Sequence, residues 1–186
     1  MTQDLRFAIF VTSGDFCDSL QCGTPLLVLI ADFEESRMLK TQAEKAIAHL
    51  KDGLMCSEAV IAPYAEEFGL SKDVVLKISS GFAGGMAQAL TCGAVSGAFM
   101  VIGLRHGAGV SRDQISRDLC FQLVQEFSHR FEKRRKTIEC RAILGMNGID
   151  PDNPEDMKRL RATGMCEGVV RDASDILEEL LSENRV

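Results

Sequence analysis

The sequence has no tryptophan and a single tyrosine among its 186 residues, so it offers few aromatic surfaces on which unpaired nucleic-acid bases could stack. Its net charge of −6 at pH 7 also argues against non-specific binding to nucleic acid. No apolar run approaches the ~20 residues that a membrane-spanning helix needs, and no basic segment followed by an apolar one marks a signal peptide. We therefore expect a cytoplasmic protein that binds no nucleic acid and does not itself span a membrane.

Several short motifs that carry chemistry are also missing. The chain has no CxxC pair, no CxxCH and no HExxH, which argues against a zinc ribbon, a thioredoxin motif, covalent haem and a metalloprotease. Cys17 and Cys22 have a C-x4-C spacing, but no third cysteine follows at the distance that plant-type ferredoxins require. The three histidines, His49, His106 and His129, are scattered, and we interpret them as surface or packing residues.

Cysteine, in contrast, is frequent, with seven in the chain. Thiols stay mostly reduced in the cytoplasm, where cysteines are more often metal ligands or catalytic groups than structural bridges. The alternative is that each is a small buried hydrophobic residue. We expect that simpler role for Cys120, because it lies within the apolar stripe of a long predicted helix.

The apolar residues after Met38 recur at helical spacing, which predicts an all-α bundle of about four main helices plus short accessory helices. A helix is expected over 56–68 with a kink at Pro63, and Ser71 should cap the next helix. Ser111 is expected to cap the longest helix. The apolar positions of that helix recur at four-residue steps: Ile115, Leu119, Leu123, Phe127 and Phe131.

The first 37 residues lack this helical period. Glu34 and Glu35 have purine-rich codons, and two in a row can encode a ribosome-binding sequence just upstream of Met38. We therefore divide the chain into residues 1–37, a mis-annotated or disordered extension, and residues 38–186, the helical domain. A real but poorly ordered N-terminal arm is the alternative.

Four cysteines, Cys56, Cys92, Cys140 and Cys166, each stand where a helix is expected to begin. A helix start presents unpaired N–H groups and a partial positive charge, which favour thiolate over thiol. The pattern thus predicts lowered cysteine pKa values. Thiolates attack disulfides and bind metals, so the four residues are our candidate redox-active and metal-binding site.

Four thiolates that met at one end of a bundle would repel each other, and two arrangements would relieve the repulsion. The sulfurs could hold an iron–sulfur cluster, or they could pair as two reversible disulfides. A third alternative is a structural module in which zinc or simple packing, with no cofactor, holds the bundle. Beside the cysteines, Arg141 could stabilise a thiolate, whereas Glu58 is expected to complement its helix dipole.

The sequence from about Met38 to the C-terminus resembles the C-GCAxxG-C-C family, which is named for its cysteine motif and described as redox-active. The resemblance rests on four segments: Cys56-Ser57-Glu58-Ala59-Val60, Gly81-Phe82-Ala83-Gly84-Gly85, Cys92-Gly93-Ala94-Val95-Ser96-Gly97 and Cys140-Arg141-Ala142-Ile143-Leu144-Gly145, followed by the late Cys166. Thr91 stands where the family name suggests a smaller residue, which is a minor departure.

This resemblance implies that the four helix-start cysteines are the hallmark cysteines of the family. It implies a small redox role with an unidentified partner, often encoded beside membrane transporters. The domain is similar to one attached to split-Soret-type cytochromes, which favours an iron–sulfur cluster. A homodimer that shares its ligands between two chains remains an open alternative.

Overall fold

A computed structural model describes residues 41–184, apart from the side chain of Arg161. The predictions for residues 1–37, including Cys17 and Cys22, lie outside the described residues, as does the proposed start at Met38.

The described residues form eight α-helices and no strand, so the all-α prediction is confirmed for this part of the chain. The helices are α1 (Gln42–Lys51), α2 (Cys56–Ile61), α3 (Lys72–Ser80), α4 (Gly93–His106), α5 (Gln114–Arg135), α6 (Cys140–Gly145), α7 (Pro154–Thr163) and α8 (Met165–Glu183). None of them is long and apolar enough to cross a bilayer.

Helix α4 lies at the centre of the bundle. Its residues are almost all apolar, and Ala94, Val95, Ala98, Val101 and Ile102 are fully buried. Helices α2, α5 and α8 pack around it, and α1 packs against α8. A helix that is apolar on nearly every face requires neighbours on nearly every face, and this requirement sets the arrangement of the bundle.

Pro63 was predicted to kink the second helix, but the α-helix ends before it. Helix α2 ends at Ile61 and continues only as a short 3-10 turn over Ala62–Tyr64, so the predicted helix over 56–68 was too long. Pro63 has no N–H with which to extend the α-helical hydrogen bonds, and the tighter turn avoids that requirement.

The longest helix begins later than predicted. Its cap is Asp113, whose carboxylate accepts a hydrogen bond of 3.1 Å from the Ser116 N–H, and not Ser111. Arg112 has a positive φ of 69°, which separates Ser111 from the helix. Ile115 is 85 % exposed, so its predicted core position was wrong. The core of the helix comprises Leu123, Phe127 and Phe131, all buried as predicted.

Helices α2 and α4 approach each other closely at Gly97. A Cβ added there would lie 2.7 Å from the Ser57 carbonyl oxygen and 3.1 Å from the Val60 Cβ. Only glycine therefore fits at this crossing, as expected from the Gly93–Gly97 spacing. Gly103, six residues along the same helix, has no such neighbour within 4 Å.

We expect Gly97→Ala to lower the free energy of unfolding by about 1–3 kcal/mol, because the added methyl group overpacks a backbone contact. The matched control is Gly103→Ala, which has room for its methyl group and should raise stability by up to about 1 kcal/mol through helix propensity. Urea unfolding followed by circular dichroism measures both. Equal effects of the two substitutions would contradict the close approach.

Candidate functional site

All four candidate cysteines lie at helix starts, as predicted. Cys56 and Cys140 are the first residues of α2 and α6, Cys166 is the second residue of α8, and Cys92 is the N-cap of α4. Each of the four thiols therefore belongs to the start of a different helix.

A short antiparallel pairing joins the starts of α4 and α6. The Cys92 N–H donates to the Ile138 carbonyl at 2.8 Å, and the Cys140 N–H donates to the Leu90 carbonyl at 2.6 Å. An isolated bridge between Thr91 and Glu139 lies between these bonds. The reciprocal hydrogen bonds fix the backbone of Cys92 beside that of Cys140, although 48 residues separate them along the chain.

The thiol of Cys56 lies against the first residue of α4. A Cβ added at Gly93 would overlap the Cys56 Sγ, and it would also lie 3.0 Å from the Phe82 carbonyl oxygen. Because Gly93 directly follows Cys92, the missing side chain lets the Cys56 thiol reach the start of the helix that Cys92 caps. The start of α2 thus joins the starts of α4 and α6.

The glycine-rich turn before α4 adopts a left-handed conformation. Gly84, Gly85, Met86 and Ala87 have consecutive positive φ values of 59°, 63°, 59° and 55°. L-residues such as Met86 and Ala87 pay of order 1–2 kcal/mol each for this conformation. A Cβ added at Gly85 would lie 3.0 Å from the Cys140 Cβ. It would lie closer still to the Leu90 backbone, 2.6 Å from the nitrogen and 2.9 Å from the oxygen, so the expected close approach of this turn is seen and its neighbours are Leu90 and Cys140.

Cys166 completes the group, as its electrostatic environment shows. Burial, followed by the neighbouring Cys56 and Cys140, raises the pKa of the Cys166 thiol to about 11. The pKa of Cys140 is raised to about 11 by burial and by Cys56. Cys56 and Cys140 therefore lie within electrostatic reach of both Cys92 and Cys166. We call Cys56, Cys92, Cys140 and Cys166 the cysteine cluster.

The predicted lowering of the cysteine pKa values was wrong for three members of the cysteine cluster. Cys92 is 6 % exposed, and burial is the largest cause that raises its pKa, followed by the neighbouring Cys56. The N–H groups of Ala94 and Val95, at the start of α4, act in the predicted direction but do not compensate. Desolvation opposes the charged form of a thiol, and here it outweighs the helix start.

Three residues close in sequence to the cysteines have other roles or lie elsewhere. Arg141 forms two hydrogen bonds to the Asp152 carboxylate, of 2.7 and 3.1 Å, and its charge also acts to lower the pKa of Cys140, as predicted, but less than burial and Cys56 raise it. Glu58 accepts a hydrogen bond of 2.7 Å from the Met55 N–H, which fits its expected role at the start of α2. Cys120 lies on α5 and packs, half-buried, against the hydrophobic core, close to its predicted role.

The four cysteines are suitable ligands for a metal cofactor, but their side chains are not arranged as a metal site. Four thiols are the usual ligands of an iron–sulfur cluster, so the residue types fit. Among residues 41–184, however, no three cysteine, histidine or acidic side chains are placed as a ready metal site. The thiols are all unbridged. To hold a cluster, the thiol side chains would have to turn towards one common point.

Comparison with known proteins identifies one family. The family model described as "Putative redox-active protein (C_GCAxxG_C_C)" matches residues 54–180, more than half of the chain. All four residues of the cysteine cluster lie within this range. No curated protein and no solved structure gives a significant match to the chain.

We expect the rate at which iodoacetamide alkylates Cys140 and Cys166 to increase with pH, about tenfold per pH unit, up to about pH 10. Only the thiolate reacts, and below a pKa of about 11 its fraction grows tenfold per unit. Peptide-resolved mass spectrometry of the native protein measures both rates. In protein unfolded by urea, the alkylation rates of the same residues should stop increasing near pH 9, as those of ordinary thiols do. A native rate that levels off at that same pH would contradict the burial effect.

Proposed function

Because the chain belongs to the C_GCAxxG_C_C family, whose members are described as redox-active, we propose that its cysteine cluster holds an iron–sulfur cluster and transfers electrons. The observation that carries this proposal is the convergence of separate helix starts, each of which bears one of the four cysteines. Such convergence is unnecessary if each cysteine serves only as core filler.

Charge supports a cationic occupant for this site. A thiolate among buried neighbours is costly, and several thiolates together also repel one another. Iron ions supply the missing positive charge, and coordination to a metal deprotonates a thiol outright. The same burial that disfavours bare thiolates would then separate the bound metal from solvent.

The backbone around the cysteine cluster supports the proposal in a second way. Gly85 and Gly93 leave out the two side chains that would collide with Cys140 and Cys56. Each cysteine also lies at the first turn of its helix or just before it, so modest rotations about the Cα–Cβ bond can redirect each sulfur. Movement between staggered rotamers is a local change that leaves the helices in place.

The proposed chemistry is a one-electron exchange. An iron–sulfur cluster held by Cys56, Cys92, Cys140 and Cys166 would supply one-electron chemistry between a reduced donor protein and an oxidised acceptor protein. The four cysteines bind the cluster, and the surrounding helices exclude water. The redox partner is therefore a protein that docks near the starts of α2, α4, α6 and α8.

We expect protein purified without oxygen from iron-replete cells to be brown and to contain iron and acid-labile sulfide, because four thiolates retain the cluster. Cys92→Ser should abolish the visible absorbance and most of the iron. Cys120→Ser is the matched control, since Cys120 lies outside the cysteine cluster, and it should keep both. Metal analysis and absorption spectroscopy measure the outcome. Colourless, iron-free wild-type protein from such cells would refute the proposal.

A thiol–disulfide carrier is the second candidate, and the position of Cys56 favours it. Its Sγ lies against Gly93, immediately after Cys92, so we expect these two cysteines to form the disulfide. In this reaction two thiols lose two protons and two electrons and form one S–S bond. The disulfide of an oxidised partner protein accepts both and becomes a dithiol.

If the carrier reaction occurs, metal-free protein held at an oxidising potential should become about two daltons lighter for each disulfide formed. Peptide mapping should then find Cys56 linked to Cys92, and Cys56→Ser should prevent that link, whereas Cys120→Ser should not. Intact-mass spectrometry across a series of glutathione potentials measures the change. A bound zinc ion with no redox response would instead indicate the structural module.

A further inference from the structure

A polar cavity lies at a different part of the bundle from the cysteine cluster. Its volume is about 570 Å³, within the range of small-molecule sites. Its walls come from the start of α1, the 3-10 turn, the end of α4 and the second half of α8. On α4, Arg105 of the cavity is thirteen residues from Cys92, which corresponds to ~20 Å along a helix.

One wall of the polar cavity is a buried tyrosine without a hydrogen-bond partner. Tyr64 is 3 % exposed, and its hydroxyl oxygen bonds to no residue of the described part of the chain. The side-chain amide oxygen of Gln42 (Oε1), also in the wall, is likewise unpartnered among residues 41–184. Buried polar atoms are nearly always satisfied, so two orphaned oxygens in one cavity indicate a missing hydrogen-bond donor.

The remaining walls are rich in carboxylates, two of which form no direct ion pair with a described residue, although Arg134 and Arg171 act on Asp175 from a greater distance. Glu67 pairs with Arg105, and Glu179 pairs with Arg134. Asp175 and Glu178 form no ion pair with any described residue, although both line the cavity. Burial raises the pKa of Asp175, which shows that part of its hydration is lost. A positively charged ligand would restore both hydrogen bonding and charge balance.

We propose that the polar cavity binds a small organic cation of the aliphatic diamine class. Its ammonium groups would pair with Asp175 and Glu178, and a rotation of the Tyr64 or Gln42 side chain would bring one of the two buried oxygens into position to accept a hydrogen bond from the ligand. A bare metal ion fits less well, because the space is far larger than one ion and no three acidic side chains of the described residues converge as ligands. This binding is independent of the redox chemistry of the cysteine cluster.

Tyr64 also provides the measurement. It is the only tyrosine of the chain, and there is no tryptophan, so intrinsic fluorescence reports on this one side chain. We expect titration of the full-length protein with 1,4-diaminobutane to change tyrosine emission in a saturable way. Glu178→Gln keeps the fluorophore and should weaken binding by about tenfold, because it removes a charged hydrogen-bond acceptor.

Two further variants make the test specific. Tyr64→Phe keeps the ring, removes the hydroxyl and should also weaken binding by about tenfold in isothermal titration calorimetry. Glu66→Gln is the matched control, since Glu66 is exposed and does not line the cavity, and its affinity should equal that of wild type. Circular dichroism verifies that each variant is folded.

Three results would overturn the proposal. The first is no binding up to 10 mM diamine. The second is equal diamine affinity in wild type, Glu178→Gln and Tyr64→Phe. The third is a fluorescence response to magnesium chloride equal to the response to diamine at the same ionic strength. The second result would indicate loose association of the diamine with an acidic surface. The third would indicate a response to divalent charge and not to ammonium groups.

Discussion

The close approach of α2 to α4 is the contact on which the site depends. Gly97 lets the backbone of α2 lie against α4, and Gly93 leaves room for the Cys56 thiol at the start of α4. A side chain at Gly97 would press on the α2 backbone at Ser57, and one at Gly93 would displace the Cys56 thiol. The thiols of Cys56 and Cys92 would then separate as well. The face of α4 that carries Gly93 and Gly97 therefore determines both the packing of the core and the geometry of the site.

The electrostatics of the cysteine cluster reflect a competition in which burial is stronger. A helix start stabilises a negative charge by typically 0.3–1 kcal/mol, whereas burial of an ionisable group can shift its pKa by several units. At Cys92 both effects are present, and the pKa rises because only 6 % of the residue is exposed. Position at a helix start is thus insufficient to activate a thiol that lies inside the protein. What such thiols need in order to ionise is a cation at short range.

Local sequence signals were sufficient for the helices. Regular apolar spacing predicted an all-α fold, and Ser71 caps α3 as expected, with its hydroxyl 3.3 Å from the Val74 N–H. The error at the start of α5 was also local, because Ser111 and Asp113 are both good caps and the sequence gives no reason to choose between them. The positive φ of Arg112, which decides the matter, has no sequence signature.

The candidate site was less predictable, because it depends on contacts between distant segments. Its residues could be named from their positions at helix starts, but the pairing of Leu90 with Cys140 and of Cys92 with Ile138 joins segments about 50 residues apart. No local pattern encodes that pairing. Burial of the thiols also depends on how the bundle closes around them. For this reason the sequence predicted correctly that the cysteines lie at helix starts, and predicted the direction of the pKa shift incorrectly for Cys92, Cys140 and Cys166.

The separation of the cysteine cluster from the polar cavity has an electrostatic consequence. Cys92 and Arg105 lie near the two ends of α4, ~20 Å apart, and Cys166 and Asp175 lie ~14 Å apart along α8, whereas the screening length at physiological ionic strength is about 8 Å. The unpaired carboxylates of Asp175 and Glu178 therefore act only weakly on the thiols. The causes of the raised thiol pKa values agree with this, since they include burial and neighbouring cysteines but none of the cavity carboxylates. Charge changes in one region should leave the ionisation of the other almost unaltered, so the bundle can carry two separate sites without electrostatic interference between them.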